Sequence, residues 1–310
     1  MKPLVLFALI LVFSCSILAK PESSSKVKTL QNKINPRLNP RMIYSPIDQK
    51  PRFDLPMTYN KSVQKWITYY QGRGKNWLTR TFARTYKYFP SMQYALKQKN
   101  MPLDLAYITI IESGLSPKAR SHASAVGYWQ FIKPTATRYG LKVNWWVDER
   151  MDFYRSTEAA VSYLDDLYGM FGSWYLAASA YNMGENKLKR LIKKYKTKNY
   201  WILSKQKGFP KETRDYVPKL IATVLIAKAP KLYGFRNIKQ LKPHSYDVFH
   251  VPGGTDLYNF AKHMGLQPKI LQVLNPGILK GFIPRFVKNY RVRIPKGYTP
   301  KAVRYLKSQL

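Results

Sequence analysis

Cysteine is almost missing from this sequence. Cys15 is the only one in 310 residues. It falls within a stretch that reads as an export signal: Lys2, then the apolar run Leu4 to Phe13, then Ile17-Leu18-Ala19 before Lys20. The run is too short for a membrane span, which needs about 20 apolar residues. Cleavage after Ala19 is expected. It is favoured over lipidation at Cys15, because Phe13 is bulky for a lipoprotein signal. A chain beginning after Ala19 holds no cysteine, which excludes disulfides, zinc thiolates and a cysteine nucleophile. Histidine is scarce too: His122, His244, His250 and His263 show no HExxH-type spacing, and no metal site is expected. Acidic residues number 16 against 53 Lys and Arg, a formal net charge of +37. Such a field attracts polyanions, whether an acidic wall, an anionic membrane surface or nucleic acid, but it says nothing about fold.

Apolar residues make up 45% and aromatics 15%, enough for a substantial core. Residues 20–55 are rich in Pro, Ser and Lys and lack periodicity, as expected of a linker or an arm laid over the surface. From about Val63 to Ala229 the spacing is helical, as in Trp66-Ile67-Tyr69-Tyr70 and Phe82-Tyr86-Phe89. Further helices are expected near Ser156–Tyr168, over Trp174–Tyr181 with its small residues, and over Tyr216–Ala229. No strong strand pattern precedes residue 245. Beyond it, two strands (Asp247 to Val251, Tyr290 to Pro295) flank two short helices (Thr255–His263, Pro268–Leu274), a compact β-α-α-β unit.

Pro102 opens a strongly apolar segment, Leu103 to Ser113, and Gly114 closes it as helix ends often require. Glu112 sits in its last turn behind Ile108, Ile110 and Ile111. Burial and the negative end of a helix both disfavour a carboxylate, so its pKa should be raised. A carboxyl that keeps its proton near neutral pH can act as a general acid on a glycosidic bond. The competing reading is a Glu turned to solvent or paired with Arg120.

Three further stretches bear on that choice. The first runs from Glu112-Ser113-Gly114 to Ser121 and on to Ala125-Val126-Gly127-Tyr128-Trp129-Gln130-Phe131. The second is Ala180-Tyr181-Asn182-Met183-Gly184. The third is Glu212-Thr213-Arg214-Asp215-Tyr216-Val217-Pro218-Lys219. In this order, inside a helical region, they resemble the lysozyme-like lytic transglycosylases, in particular the membrane-bound lytic murein transglycosylase D family. The resemblance covers roughly residues 60 to 297. It implies a mainly α fold, with a lysozyme-like α-helical catalytic (SLT) domain followed by a small β-α-α-β LysM-like module. The expected division is a signal peptide over 1–19, the arm over 20–55, the transglycosylase domain over 56–240, the module over 244–297 and a tail over 298–310.

The resemblance implies roles residue by residue. Glu112 falls on the catalytic glutamate. Ser121 falls where the family places a hydroxyl near that carboxyl and the substrate. Gln130 matches a glutamine lining the sugar groove. Tyr181 and Asn182 match a pair flanking the acid. Glu212 matches a glutamate near the peptide-bearing sugar. The bland readings are a loop cap for Ser121, a capping amide for Gln130 and core for Tyr181. Tyr216 reads as packing. The implied reaction uses one carboxyl as acid and then as base, closes a 1,6-anhydro sugar and needs no cofactor. Two-carboxylate glycosidases would need a second acid, and Asp148, Glu149 and Asp152 read instead as a loop and a helix start. Val251-Pro252-Gly253-Gly254-Thr255, Phe260-Ala261 and Asn275-Pro276 resemble a degenerate LysM module, either glycan-binding or merely packing. Peptidoglycan strands are the expected partner, in the periplasm or outside the cell, for a chain expected to be monomeric, and nucleic acid is disfavoured. The competing functions are a goose-type hydrolytic lysozyme and a silent cationic binding protein.

Overall fold

The structure, a computed structural model, describes residues 53–243 and 245–309. The expectations for the export signal, for Cys15 and for most of the 20–55 arm lie outside the described residues. The described end of the arm packs inward: Leu55 is buried in the main core, and Tyr175 donates to the Pro56 carbonyl.

The chain folds as a helical body followed by a small α/β module. α1 (Lys61–Gln71) starts where the Asn60 side chain accepts the Val63 N–H, and it buries Val63, Ile67 and Tyr70 along one stripe. α2 (Lys75–Gln98) buries Leu78, Phe82, Phe89, Met92 and Leu96. The segment expected to be one helix from Leu103 divides in two. Leu103–Tyr107 forms a 3₁₀ turn and Ile108–Ser113 forms α3. The tight turn leaves Asp104 buried, where its carboxylate accepts the Asp54 N–H and meets Lys228.

α4 (Lys133–Arg138) leads to the long α5 (Phe153–Phe171), capped at its start by Asp152. α6 (Trp174–Met183) buries Ala177, Ala178, Ser179 and Ala180. These small side chains let α5 and α9 (Lys211–Lys228) approach it closely. Between α6 and α9 lie α7 (Glu185–Tyr195) and the short α8 (Tyr200–Leu203). α9 also packs on α1 and α3, so it is the element that faces the end of the Glu112 helix.

The module pairs β1 (Tyr246–Pro252) with β2 (Asn289–Pro295) antiparallel, Val251 opposite Tyr290. α10 (Leu257–His263) and α11 (Pro268–Leu274) fill the connection. The order is the expected β-α-α-β. Residues expected to be a tail contain α12 (Thr299–Lys307), whose Ala302 and Tyr305 join the module's core. The helical body contributes Val147 to that same core. The junction is continuous backbone pairing: Asp148 N–H to the Gly277 carbonyl at 2.8 Å and Leu279 N–H to the Trp146 carbonyl at 2.9 Å.

Candidate active site

The end of α3 is locked from three sides. Gly114 adopts φ +58° and its N–H caps the Ile110 carbonyl. Arg84 donates to the Gly114 carbonyl at 2.7 Å. The Ser113 hydroxyl donates to the Tyr128 carbonyl at 2.7 Å. These bonds fix the direction in which Glu112 leaves the helix. Its partner is Tyr216 rather than Arg120: the Tyr216 hydroxyl donates to Glu112 Oε1 at 2.6 Å.

Glu112 is half-buried, and its pKa is pushed up to about 7. Burial is the main cause, because a carboxylate loses hydration there. The Tyr216 hydrogen bond pulls the value down, the Glu212 charge pushes it up, and Lys219 pulls it down. Glu212, Tyr216 and Lys219 recur at helical spacing on one face of α9. Tyr216 is itself held far above the usual tyrosine range by burial and by the neighbouring Glu112 charge, so it remains a donor over the whole neutral range.

The three motif stretches converge, but not all of their side chains face Glu112. Tyr181 donates to the Trp129 carbonyl at 2.7 Å. Burial raises its pKa, and the Glu112 charge raises it further. Asn182 joins α6 to α9: its Oδ1 accepts from Thr213 at 2.6 Å and its Nδ2 donates to Glu212 at 3.4 Å. Glu212 itself is exposed. Ser121 closes a turn, its hydroxyl oxygen accepting the Ala125 N–H at 3.1 Å. Gln130, at φ +50°, turns its amide back onto the Ala119 and Gly127 carbonyls at 3.1 and 2.9 Å. Both side chains therefore shape the 119–131 loop. Tyr216, read from the sequence as packing, is the direct partner of Glu112. Its signal was its place one turn beyond Glu212 on the same helix face.

The loop rests on a buried clamp. Gly127 lies so close to residue 150 that a Cβ there would stand 1.9 Å from the Arg150 carbonyl oxygen. Arg150 donates to the Ser124 and Phe131 carbonyls at 3.0 and 3.1 Å while Asp148 holds its other nitrogens at 2.8 Å. Glu149 accepts the Lys142 N–H at 2.8 Å and pairs with Arg155 at 3.3 Å. Asp152 caps α5 and pairs with Arg293. All three carboxylates considered as a second acid are thus occupied in holding structure. The site presents one raised carboxyl, two tyrosines around it, and an exposed carboxylate–amide pair at its margin.

The Transglycosylase SLT domain family matches residues 89–204, and the lytic transglycosylase MltD LysM-like domain family matches residues 245–309. The chain is homologous to the membrane-bound lytic murein transglycosylase D of Escherichia coli strain K12, at 33% identity over 211 residues, covering 66% of this chain and 46% of that one. It therefore spans about half the length of the curated relatives it matches. Among solved structures, the 70-kDa soluble lytic transglycosylase from Escherichia coli aligns with a TM-score of 0.42 and 18% identity, covering 59% of this chain and 33% of that one. A complex of the 70-kDa soluble lytic transglycosylase with bulgecin A aligns with a TM-score of 0.42 and 23% identity, covering 57% and 29%.

Proposed function

Because the chain joins a transglycosylase SLT domain to an MltD-type LysM-like domain and is homologous to a lytic murein transglycosylase, we propose that it cleaves the glycan strands of peptidoglycan. The bond is the β-1,4 link from N-acetylmuramic acid to N-acetylglucosamine, and the action takes place in the cell envelope, outside the cytoplasm. The observation that carries this reading is the Glu112 carboxyl, held near a pKa of 7 on a locked helix end with Tyr216 on one oxygen. Such a group is half-protonated near neutrality, which suits both giving and taking a proton.

In the proposed reaction Glu112 gives its proton to the glycosidic oxygen, and the bond from that oxygen to C1 of the muramic sugar breaks. The neighbouring N-acetyl oxygen stabilises the positive C1. Glu112, now a carboxylate, takes the proton from the muramic 6-hydroxyl while that oxygen bonds to C1. The products are a free 4-hydroxyl on the departing sugar and a 1,6-anhydro end, and Glu112 regains its proton. No water is consumed. Asp148, Glu149 and Asp152 are each engaged elsewhere, which supports a single-carboxyl scheme over a two-carboxylate one.

Tyr216 positions Glu112 and steadies its ionised form. Tyr181 ties α6 to the 119–131 loop through the Trp129 carbonyl. Asn182 and Glu212 form the rim that meets the substrate, and Ser121 and Gln130 support the groove through the 119–131 loop. The LysM-like module acts here as a brace for the 144–152 loop. The test is mass spectrometry of digested cell walls. Anhydro ends from the wild type and none from Glu112→Gln are expected. Reducing ends from the wild type would make the enzyme a hydrolase, and undiminished digestion by Glu112→Gln would remove Glu112 from the chemistry.

A further inference from the structure

The chain between Asn182 and Glu212 has no part in the chemistry above, yet it has the most lopsided charge in the protein. Residues 186–211 contain ten Lys and Arg and no Asp or Glu. α7 turns Leu188 and Leu191 into the core and leaves Lys187, Lys189, Arg190, Lys193 and Lys194 exposed. The following loop folds back against the end of α7, where Tyr195 donates to the Lys207 carbonyl at 2.8 Å. That contact brings the exposed Lys205 and Lys207 alongside the helix. Among the described residues no cation of this segment is in an ion pair. The acids at its two ends are engaged elsewhere: Glu185 with Arg138 at 2.8 Å and Glu212 with Asn182.

The root of this lobe is part of the site. The Thr213–Asn182 bond of 2.6 Å ties its two ends together at the margin where Glu212 stands. A cationic surface next to a binding groove raises the local concentration of an anionic polymer and speeds its capture. Two polyanions match such a surface in charge, a carboxylate-bearing strand and an anionic lipid surface. Charge alone can hold a basic face to anionic lipid, but this face is rooted at the margin of the site, where the glycan strand would lie, and a face that inserts into lipid carries several apolar anchors among its cations. In this segment Ile202 alone is both large, apolar and exposed. We propose that the 186–211 lobe is a capture surface for the carboxylates carried by peptides along the glycan strand. This rests on the glycan reading of the site and adds a preference for peptide-bearing over peptide-free strands.

The experiment uses the full chain with Lys189→Gln, Lys193→Gln, Lys194→Gln and Lys198→Gln combined. A control replaces four exposed cations of the module by Gln: Lys262, Lys269, Lys288 and Lys307. Co-sedimentation and initial rates are measured on peptide-bearing cell walls and on walls stripped of peptide by an amidase. At low salt the lobe variant should bind peptide-bearing walls about fivefold more weakly, with KM raised in step and kcat within about twofold, and high salt should erase the difference. Stripped walls, on which the amidase leaves one lactyl carboxylate per muramic acid, should show a clearly smaller difference from wild type. An equal loss from the control variant, or an equal loss on stripped walls, overturns the proposal, and so does a loss confined to phosphatidylglycerol vesicles. Lobe-dependent binding without any cleavage would keep the capture surface and sink the proposed activity instead.

Discussion

Tyr216 donates to Glu112 Oε1 at 2.6 Å, and this one bond sets two properties of the carboxyl, its orientation and its proton affinity. The bond favours the ionised form and so lowers a pKa that burial has raised. Replacing Tyr216 by Phe keeps the buried ring and removes the donor. The Glu112 pKa then rises, so the alkaline limb of the pH–rate profile moves to higher pH. At the same time kcat falls about tenfold, because the carboxylate is less well oriented to take the second proton. A merely structural role for Tyr216 would lower the rate without moving the limb.

Glu112 also costs stability when it ionises. Its folded value of about 7 stands above the ordinary 4.5, so the folded state binds its proton more tightly than the unfolded state does. That contribution is fully present below pH 4.5 and is lost as pH rises through about 7. Glu112→Gln should therefore be more stable than wild type by about 3 kcal/mol at pH 8, with the gap closing near pH 4.5. Its cleavage rate should drop on the order of a thousandfold. Denaturant titrations at the two pH values check the first statement. A gap that does not change with pH would mean that Glu112 is well hydrated.

Helices and module were legible because each writes its own local signal. Val63, Ile67 and Tyr70 fall on one stripe of α1, and the two strands bracketing two short helices read in order. Glu112 was legible through its apolar neighbours and Gly114. Tyr216 was not, since a tyrosine on a buried helix face looks like core until its hydroxyl finds a partner 104 residues away in the chain. The spacing of Glu212, Tyr216 and Lys219 held the missing information, because a helix face that lines up an exposed carboxyl, a buried hydroxyl and a half-buried ammonium is more than a packing stripe. Ser121 and Gln130 stand in the matching motif positions, but their bonds into the loop were set by backbone geometry. Gln130 in particular adopts φ +50°, which no side-chain pattern announces.

Gly127 tests how far the loop depends on its clamp. It combines φ +86° with a Cβ position 1.9 Å from the Arg150 carbonyl oxygen, a backbone atom that cannot swing away. Gly127→Ala should destabilise the protein by more than about 3 kcal/mol, beyond the range of ordinary surface changes. Thermal unfolding measures it, and a loss below about 1 kcal/mol would show that the 119–131 loop can move off its clamp.

Asp152 and Arg293 join the body to the module across 141 residues of sequence. Burial pushes the Asp152 carboxyl up, but the Arg293 guanidinium, bonded through both nitrogens at 2.7 and 2.8 Å, more than offsets this and holds it below the usual value. A carboxyl with a depressed folded pKa contributes stability above its unfolded value of 3.8, and this is lost as pH falls through the lower folded one. Arg293→Met fills the space, leaves Asp152 uncompensated, and should cost about 3–5 kcal/mol at neutral pH. The loss should shrink as pH falls below about 4, where the carboxyl takes a proton. Adding Asp152→Asn should recover part of the loss at neutral pH, since the buried charge is gone and the amide oxygen can still cap α5. If the double variant is no more stable than Arg293→Met, then lost packing of Arg293 against Tyr154, 4.6 Å from its ring, is what holds the module in place rather than the ion pair.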